Sequence, residues 1–292
     1  MSELPFQPLI IVGAARSGTN MLRDAVTALD GFVTWPCDEI NPIWRHGNLG
    51  WPTDAIPPER AERAQEFIRG SFLRLWRARG KPDVIVEKTC ANTLRLPFVR
   101  AVLPEAKYVH IVRDGRDVVG SARKRWRGEM ELPALPYYAA KVRYTPASDL
   151  PRYGWSYLRN RISMLRNPDR RMSVWGPRFE GMAEMQSAGV PLADLCAAQW
   201  SACAAAADAA IKAMPSSVAL TLRYEDVIAE PLSALRTIAE MVGQARTDEA
   251  LAHATTSISR ASVGKGRQTL GPDAARLAAT MAPLLSRFGY GD

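Results

Sequence analysis

The chain opens with a strand, a glycine-bearing turn and an amphipathic helix, and this order of elements constrains the fold most. The run from Leu9 to Val12 is apolar and mostly β-branched, as in a strand buried on both faces. Gly13 ends that run, and from Thr19 to Leu29 the apolar residues recur at the spacing of one helical face. A strand, a turn and a helix in this order indicate an α/β fold.

Three further apolar runs predict strands of the same sheet. They are the segments Val84 to Val86, Tyr108 to Val112 and Val218 to Leu222. Segments with the apolar spacing of helices lie between and after them, as expected when crossover helices connect parallel strands. We therefore expect a P-loop-like central parallel sheet that is flanked by helices.

The stretch from Arg127 to Gly189 breaks this pattern. It is rich in aromatic residues and arginine, but its apolar residues follow no regular period. A structureless loop of that length is uncommon inside a compact domain, so we expect short helices that form a cap inserted at about residues 127–190. No repeat and no linker-like segment interrupts the chain, and we expect a single domain over residues 1–292.

The composition suits a large core and an anionic ligand. The hydrophobic share is 47%, and 38 Lys and Arg against 30 Asp and Glu leave a net charge of +8. A basic surplus favours nucleotides, nucleic acids or lipid surfaces without choosing among them. The basic residues are spread along the chain instead of clustering on one helix or tail, so we expect no nucleic-acid partner.

The cysteines and the termini indicate the compartment. The four cysteines, at positions 37, 90, 196 and 203, have neither metal-ligand spacing nor the density of a disulfide framework, and we expect reduced thiols. The N-terminus lacks the features of a signal peptide, and the most apolar region, Leu192 to Met214, carries charges that disfavour a membrane span. The expectation is a soluble, cytoplasmic protein without a membrane partner.

The turn after the first strand has the composition of a phosphate-binding loop. It spans Gly13 to Asn20, and backbone N–H groups and the positive end of the helix dipole converge there. Nucleotide triphosphatases have Lys directly after the last glycine of such a loop, whereas here Thr19 follows Gly18. Arg16 supplies the cation instead, and a guanidinium can hold two anion oxygens at once. We expect an anion site without a bound metal.

A second anion site is predicted after the strand that ends at Val112. Arg113 follows this strand at the sheet edge where ligands of α/β sheets bind. Ser121 falls about two turns into the next helix, so that a second phosphate fits between these two side chains. We expect Asp114 and Arg116, which lie between them, to form a structural ion pair.

Five segments, in this order along the chain, resemble the sulfotransferases that use 3′-phosphoadenosine-5′-phosphosulfate (PAPS). They are Arg16 to Thr19, Glu87 to Thr89, Tyr108 to Ser121, Arg223 to Asp226 and Ser262 to Arg267. The resemblance is to bacterial-type members and to the tyrosylprotein and heparan branches. It implies the sulfotransferase fold, PAPS as the cofactor, no metal, and transfer of a sulfuryl group to a hydroxyl or amine of a small acceptor.

The resemblance also implies roles for individual residues. The 5′-phosphosulfate would be held by Arg16, Ser17, Gly18, Thr19 and Asn20, and the 3′-phosphate by Arg113 and Ser121, with Lys265, Gly266 and Arg267 closing over it and Tyr224 near the nucleotide. Three positions differ from patterns found in the family: Asn20 replaces a second Thr, Gly115 replaces a frequent Pro, and Arg16 replaces the Lys of the steroid and phenol branch, although Arg is usual in the tyrosylprotein-like branch. None of these changes removes a group that the cofactor needs.

The general base remains a choice between two carboxylates. Glu87 matches the base position of the heparan branch, and Glu39 matches that of the tyrosylprotein branch; we favour Glu39 slightly. Arg16 and Lys88 are the candidates for neutralising charge at the leaving group. The histidine mode of the steroid and phenol branch is excluded, because Cys90 stands near that position. A P-loop kinase and a non-catalytic nucleic-acid binder are the alternative functions.

Overall fold

The computed structural model describes residues 3–128, 142–166, 172 and 174–291. Five parallel strands form one sheet. They are β1 (Gln7–Val12), β2 (Phe32–Thr34), β3 (Val84–Lys88), β4 (Lys107–Val112) and β5 (Ala219–Arg223), in the spatial order β2-β3-β1-β4-β5. The predicted parallel sheet is confirmed. The sequence prediction missed β2, because three residues of which one is buried make no recognisable apolar run.

Helices cover the sheet and connect its strands. They are α1 (Thr19–Thr27), α2 (Asn41–Arg45), α3 (Gln65–Ala78), α4 (Leu96–Val102), α5 (Gly115–Trp126), α6 (Leu150–Arg166), α7 (Met182–Ser187), α8 (Leu192–Lys212), α9 (Tyr224–Ala229), α10 (Pro231–Met241), α11 (Asp248–Ala254), α12 (Lys265–Gln268) and α13 (Asp273–Arg287), with 3₁₀ turns at Pro58–Arg63, Cys90–Arg95, Ala147–Asp149 and Arg260–Ser262. Within the predicted cap, the described residues form the helices α6 and α7 and irregular segments beside them, and α6, with 17 residues, is longer than the short helices that the sequence predicted. The prediction of a single domain stays a prediction.

The sheet separates two apolar layers. Side chains alternate along β1, so Leu9 and Ile11 pack on the layer of α1, α9, α10 and α11. Ile10 and Val12 pack on the opposite layer, with α3 and α4. A third cluster joins α5, α8 and α13, and it includes Cys196 and Cys203 on the buried face of α8.

The strand order brings the predicted site segments to one edge of the sheet. β1 lies between β3 and β4, with Ile11 paired to Lys88 and Val12 paired to His110. Parallel strands end at the same edge, so the turn after β1, the end of β3 and Arg113 after β4 are neighbours. His110 itself is buried in the core, and burial lowers its pKa to about 4.

None of the helices within the described residues is long and apolar enough to cross a membrane.

Candidate functional site

A cleft of about 810 Å³ opens at this edge of the sheet. It is lined by most of the residues that the sequence singled out: Arg16, Gly18, Thr19, Asn20, Glu39, Lys88, Arg113, Ser121, Tyr224, Lys265 and Gly266. Ser17, Glu87 and Arg267 are not part of its lining. The two predicted anion sites are therefore two parts of one cavity.

The loop between β1 and α1 makes a tight, left-handed turn. Arg16 and Gly18 have φ angles of 78° and 89°, in the region that favours glycine. Gly18 also touches the ring of Tyr224, because a Cβ at this glycine would lie 2.3 Å from a ring carbon. The neighbouring Ser17 is buried, and its hydroxyl has no hydrogen-bond partner within the described residues. The turn thus keeps its backbone open to the cleft and holds an unused donor.

Arg16 links the two predicted anion sites. Its Nε donates to Oγ of Ser121 at 2.8 Å, and its carbonyl oxygen accepts from Nη1 of Arg113 at 3.4 Å. Burial, together with the charges of Arg125 and Arg113, lowers the pKa of Arg16. Several cations are therefore held close together at one end of the cleft, an arrangement that an anionic ligand would stabilise.

Arg113 is positioned by contacts on several sides. Its guanidinium carbon lies 4.4 Å from the centre of the Tyr224 ring, and its Nη2 donates to Oδ2 of Asp117 at 3.2 Å. The same Nη2 donates to the carbonyl oxygen of Ser262. Its Nε is buried and has no partner within the part of the chain that the structure describes. Arg113 thus retains a donor while its plane is fixed by stacking and hydrogen bonds.

The segment from residue 262 to residue 267, named here the basic loop, reaches the cleft from the far end of the chain. The hydroxyls of Ser262 and Tyr224 are hydrogen-bonded at 2.6 Å, and Lys265 and Gly266 line the cleft. The guanidinium of Arg267 instead donates to Asp114, outside the cleft lining. The structure therefore does not bring the Arg267 side chain together with the other predicted cofactor residues.

Asp114 is a structural anchor at the start of α5. It accepts from the backbone N–H of Arg116 at 2.9 Å and pairs with the Arg116 guanidinium at 2.9 Å. The predicted ion pair between these two residues is thus present. Hydrogen bonds from Arg116 and Arg267 hold the pKa of Asp114 below its usual value, although burial opposes this shift.

Of the two candidate bases, Glu39 lies in the cleft. Its Oε1 accepts from Nζ of Lys88 at 3.2 Å and from the backbone N–H of Cys90 at 3.2 Å, and its side chain is 30% exposed. Burial would raise the pKa of Glu39, but Lys88 and the hydrogen bonds outweigh it and lower the pKa. Glu39 is therefore held as a carboxylate through Oε1, and its Oε2 has no hydrogen bond to any of the described residues.

Glu87 lies in the core instead. It is 0% exposed, and its two oxygens accept from Thr89 Oγ1 at 2.5 Å and from Asn92 Nδ2 at 2.9 Å. Burial raises the pKa of Glu87 to about 7. Asn92 accepts in turn from Arg95, which is also fully buried. Glu87 is thus part of a buried polar network behind the cleft.

Sequence analysis missed several residues of the cleft. Lys124 and Arg125 line it, and they lie three and four positions after Ser121, on the same face of α5. Helical periodicity could have found them. Trp175 and Gly176 also line the cleft, but they come from the aperiodic stretch, where no pattern distinguishes one aromatic residue from another. The carbonyl oxygens of Trp175 and Pro177 accept hydrogen bonds from the side-chain amide of the buried Gln199.

Clusters of three or more His, Cys, Asp or Glu side chains that could hold a metal ion are absent from the described residues. The charged groups that face the cleft are mainly cations: Arg16, Lys88, Arg113, Lys124, Arg125 and Lys265, against Asp38, Glu39 and Asp117. The arrangement can bind a polyanion with side chains and backbone N–H groups and can offer one carboxylate to a second ligand.

Comparison with known proteins points to one family. The sequence model of the sulfotransferase family matches residues 8–145. No curated protein sequence matches the chain.

Solved structures share the whole fold at low sequence identity. A sulfotransferase from Mycobacterium avium superposes with a TM-score of 0.56 at 12% identity, over 99% of this chain and 78% of its own. A sulfotransferase from Alicyclobacillus acidocaldarius has a TM-score of 0.54 at 15% identity, over 98% and 94%. The sulfotransferase domain of the Synechococcus PCC 7002 olefin synthase has a TM-score of 0.53 at 16% identity, over 97% of both chains. At these identities the likeness concerns the fold.

Proposed function

Because residues 8–145 match the sequence model of the sulfotransferase family, we propose that the chain is a PAPS-dependent sulfotransferase. Its cleft would bind PAPS and an acceptor together and transfer the sulfuryl group to a hydroxyl or amine of that acceptor. The observation that carries this proposal is the bond between Arg113 Nη1 and the Arg16 carbonyl oxygen, at 3.4 Å, in one cavity. Two anion sites this close can be bridged by one doubly phosphorylated nucleotide.

The residues present fit such a cofactor. Two buried donors at the two ends, Ser17 Oγ and Arg113 Nε, have no partner within the described residues. A Cβ at Gly18, Gly120 or Gly266 would collide with neighbouring atoms, so these parts of the cleft wall are closely packed. Unused donors and a closely packed loop are features of phosphate sites.

We assign the 5′-phosphosulfate end to the first loop and the 3′-phosphate end to Arg113 and Ser121. The backbone from Arg16 to Asn20 and the N-terminus of α1 would hold the first. Arg113, Ser121, Lys265 and the backbone at Gly266 would hold the second. Arg267 takes no part in this assignment, because its guanidinium bonds Asp114.

When bound, PAPS supplies the sulfuryl group and a phosphate as the leaving group. In the transfer of this group to the acceptor, with departure of the phosphate, Glu39 would take the acceptor proton. Arg16 and Lys88 would stabilise the negative charge on the departing phosphate oxygen. Positioning and charge neutralisation account for most of the catalysis in group transfers of this kind.

The choice of Glu39 over Glu87 rests on access. Glu39 lines the cleft, whereas Glu87 is 0% exposed and both of its oxygens are already bonded. A base must reach the acceptor proton within hydrogen-bond distance. We propose that Glu87 supports the site by fixing Thr89, whose hydroxyl also accepts from the backbone N–H of Ile40 at 3.2 Å, next to Glu39.

The experiment that tests this function is a binding titration followed by an acceptor screen. Calorimetry with the product nucleotide, 3′-phosphoadenosine-5′-phosphate (PAP), is expected to show tight binding without magnesium, and ATP is expected to bind far more weakly. Labelled PAPS should then transfer its sulfate to a hydroxyl- or amine-bearing small molecule. Magnesium-dependent binding of ATP in place of PAP would indicate a kinase, and strong binding of nucleic acid without PAP binding would indicate a nucleic-acid protein.

A further inference from the structure

Besides the bond from Arg267 to Asp114, the basic loop is attached to the start of α5 through the buried carboxylate of Asp117. Oδ1 of Asp117 accepts from the backbone N–H of Arg267 at 2.8 Å, and Oδ2 accepts from the backbone N–H of Gly264 at 2.7 Å. Oδ2 also accepts from Nη2 of Arg113 at 3.2 Å. Asp117 is 3% exposed. A single side chain thus joins the loop that carries Lys265 to the arginine of the second anion site.

Two glycines allow the backbones to meet at the same place. A Cβ on Gly266 would lie 2.0 Å from the carbonyl oxygen of Asp117, and a Cβ on Gly120 would lie 2.1 Å from the carbonyl oxygen of Gly266. No side chain fits at either position without displacing the loop. The Thr269 hydroxyl adds a bond to the Gly266 carbonyl oxygen at 2.7 Å. The loop is therefore docked on the helix by backbone contact as well as by Asp117.

We propose that Asp117 is a positioning residue that holds the basic loop against α5 before any nucleotide binds, so that the 3′-phosphate site is preformed. This inference rests on the proposed function, since it assigns Lys265 and Gly266 to the 3′-phosphate. A loop that folding has already ordered costs no further ordering when the ligand binds. Asp117 therefore acts on recognition of the 3′-phosphate through Arg113 and the loop and does not touch the reacting atoms.

The negative charge of Asp117 is compatible with a nearby phosphate, because its carboxylate is already bonded to donors of the protein. Three donors share its two oxygens, and one of those donors is the Arg113 guanidinium. The carboxylate is thus neutralised within the protein. Removing it takes the acceptor from two part-buried backbone N–H groups and from one side of Arg113. The loss of these hydrogen bonds to a charged group disfavours the docked loop.

The test compares two ways of releasing the loop. Asp117→Asn removes the negative charge and replaces one of the two acceptor oxygens by an NH2 donor, and Gly120→Ala displaces the loop by steric contact while leaving the carboxylate in place. The ligands are PAP and AMP, which differ in the 3′-phosphate. We expect each variant to lose PAP affinity by roughly 10-fold or more, as for the loss of a charged hydrogen bond, with AMP affinity little changed. Asp117→Glu, which keeps the charge, should recover part of the loss.

Asp248→Asn is the matched control, because Asp248 also lies in the first turn of a helix and pairs with an arginine, Arg236, but outside the cleft lining. It should leave the PAP-to-AMP affinity ratio unchanged. Hydrogen exchange at the amides of Gly264 and Arg267 in the ligand-free protein gives a second readout, and it should become faster in Asp117→Asn and Gly120→Ala only.

Three results would overturn the inference. The first is an unchanged PAP-to-AMP ratio in Asp117→Asn. The second is a rise of PAP affinity in Asp117→Asn together with a fall in Gly120→Ala, which would mean that the carboxylate repels the phosphate. The third is unchanged amide exchange in both variants. A wild-type protein that binds PAP no better than AMP would instead overturn the proposed function, even where the exchange data show the loop released.

Discussion

The ammonium of Lys88 lies 3.2 Å from Oε1 of Glu39 and ties the end of β3 to the loop after β2. The two charges affect each other. Burial would lower the pKa of Lys88, but the neighbouring carboxylate raises it, and Lys88 lowers the pKa of Glu39. Both groups are therefore charged at neutral pH, one as the candidate base and the other as the candidate cation at the leaving group.

Replacing Glu39 should abolish turnover and leave the cofactor site intact. We expect Glu39→Gln to reduce kcat roughly 10²- to 10⁴-fold, the usual contribution of a general base, with PAP affinity unchanged in calorimetry. Glu87→Gln is the matched control, because burial already brings the pKa of Glu87 to about 7 and glutamine resembles its protonated form. It should keep most of the activity. A large loss in Glu87→Gln with little loss in Glu39→Gln would reverse the assignment.

Removing Lys88 should change the pH dependence of the reaction. In Lys88→Met, burial still raises the pKa of Glu39 while the opposing charge is gone, so this pKa rises. A base acts only when deprotonated, so the acidic limb of the kcat/KM profile should move to higher pH. Lys88→Arg keeps the charge and should keep the limb near its original position. An unmoved limb in Lys88→Met would show that Glu39 is not the titrating base.

Arg113 should discriminate nucleotides by their 3′-phosphate. Loss of a charged hydrogen bond costs about 1.5–3 kcal/mol, so we expect Arg113→Ala to weaken PAP binding roughly 10- to 150-fold. AMP serves as the internal control, because it lacks the phosphate but shares the rest of the nucleotide. Parallel titrations of the two ligands measure the effect. Equal losses for PAP and AMP would mean that Arg113 only supports the fold around Tyr224 and Ser262.

Gly18 should tolerate no side chain. An alanine at this position would have to adopt the left-handed backbone conformation, which destabilises the folded state by about 1–2 kcal/mol. Its Cβ would also collide with the Tyr224 ring. Gly243 has a φ of 72° but nothing within 4 Å, so Gly243→Ala isolates the backbone cost. We expect both variants to lose thermal stability and only Gly18→Ala to lose PAP binding. Intact PAP binding in Gly18→Ala would argue against the first loop as the phosphate site.

Chelating agents should not reduce activity. The proposed transfer uses Arg16 and Lys88 to neutralise charge at the leaving group, where a phosphate-loop kinase uses magnesium. Turnover measured with and without a strong chelator, on protein first dialysed against it, checks this expectation. A loss that added magnesium restores would contradict the mechanism.

The sequence was sufficient for the features that depend on neighbours along the chain. Apolar runs identified four of the five strands, since a strand buried on both faces is mostly apolar. The order of a strand, a small-residue turn and a helix predicted the first anion site, because such a turn gathers backbone N–H groups by its local geometry. Arg113 could be predicted from its place directly after β4, because ligands of parallel sheets bind at the edge where the strands end.

The tertiary structure decided whatever depends on contacts between distant segments. Glu39 and Glu87 are equally acidic in sequence, but packing buries Glu87 behind Thr89 and Asn92 and leaves Glu39 open to the cleft. The family resemblance assigned Arg267 to the cofactor, whereas its guanidinium donates in the structure to Asp114, which is far away in the chain. Burial and partner choice are set by which surfaces meet on folding, and a one-dimensional pattern does not contain that information.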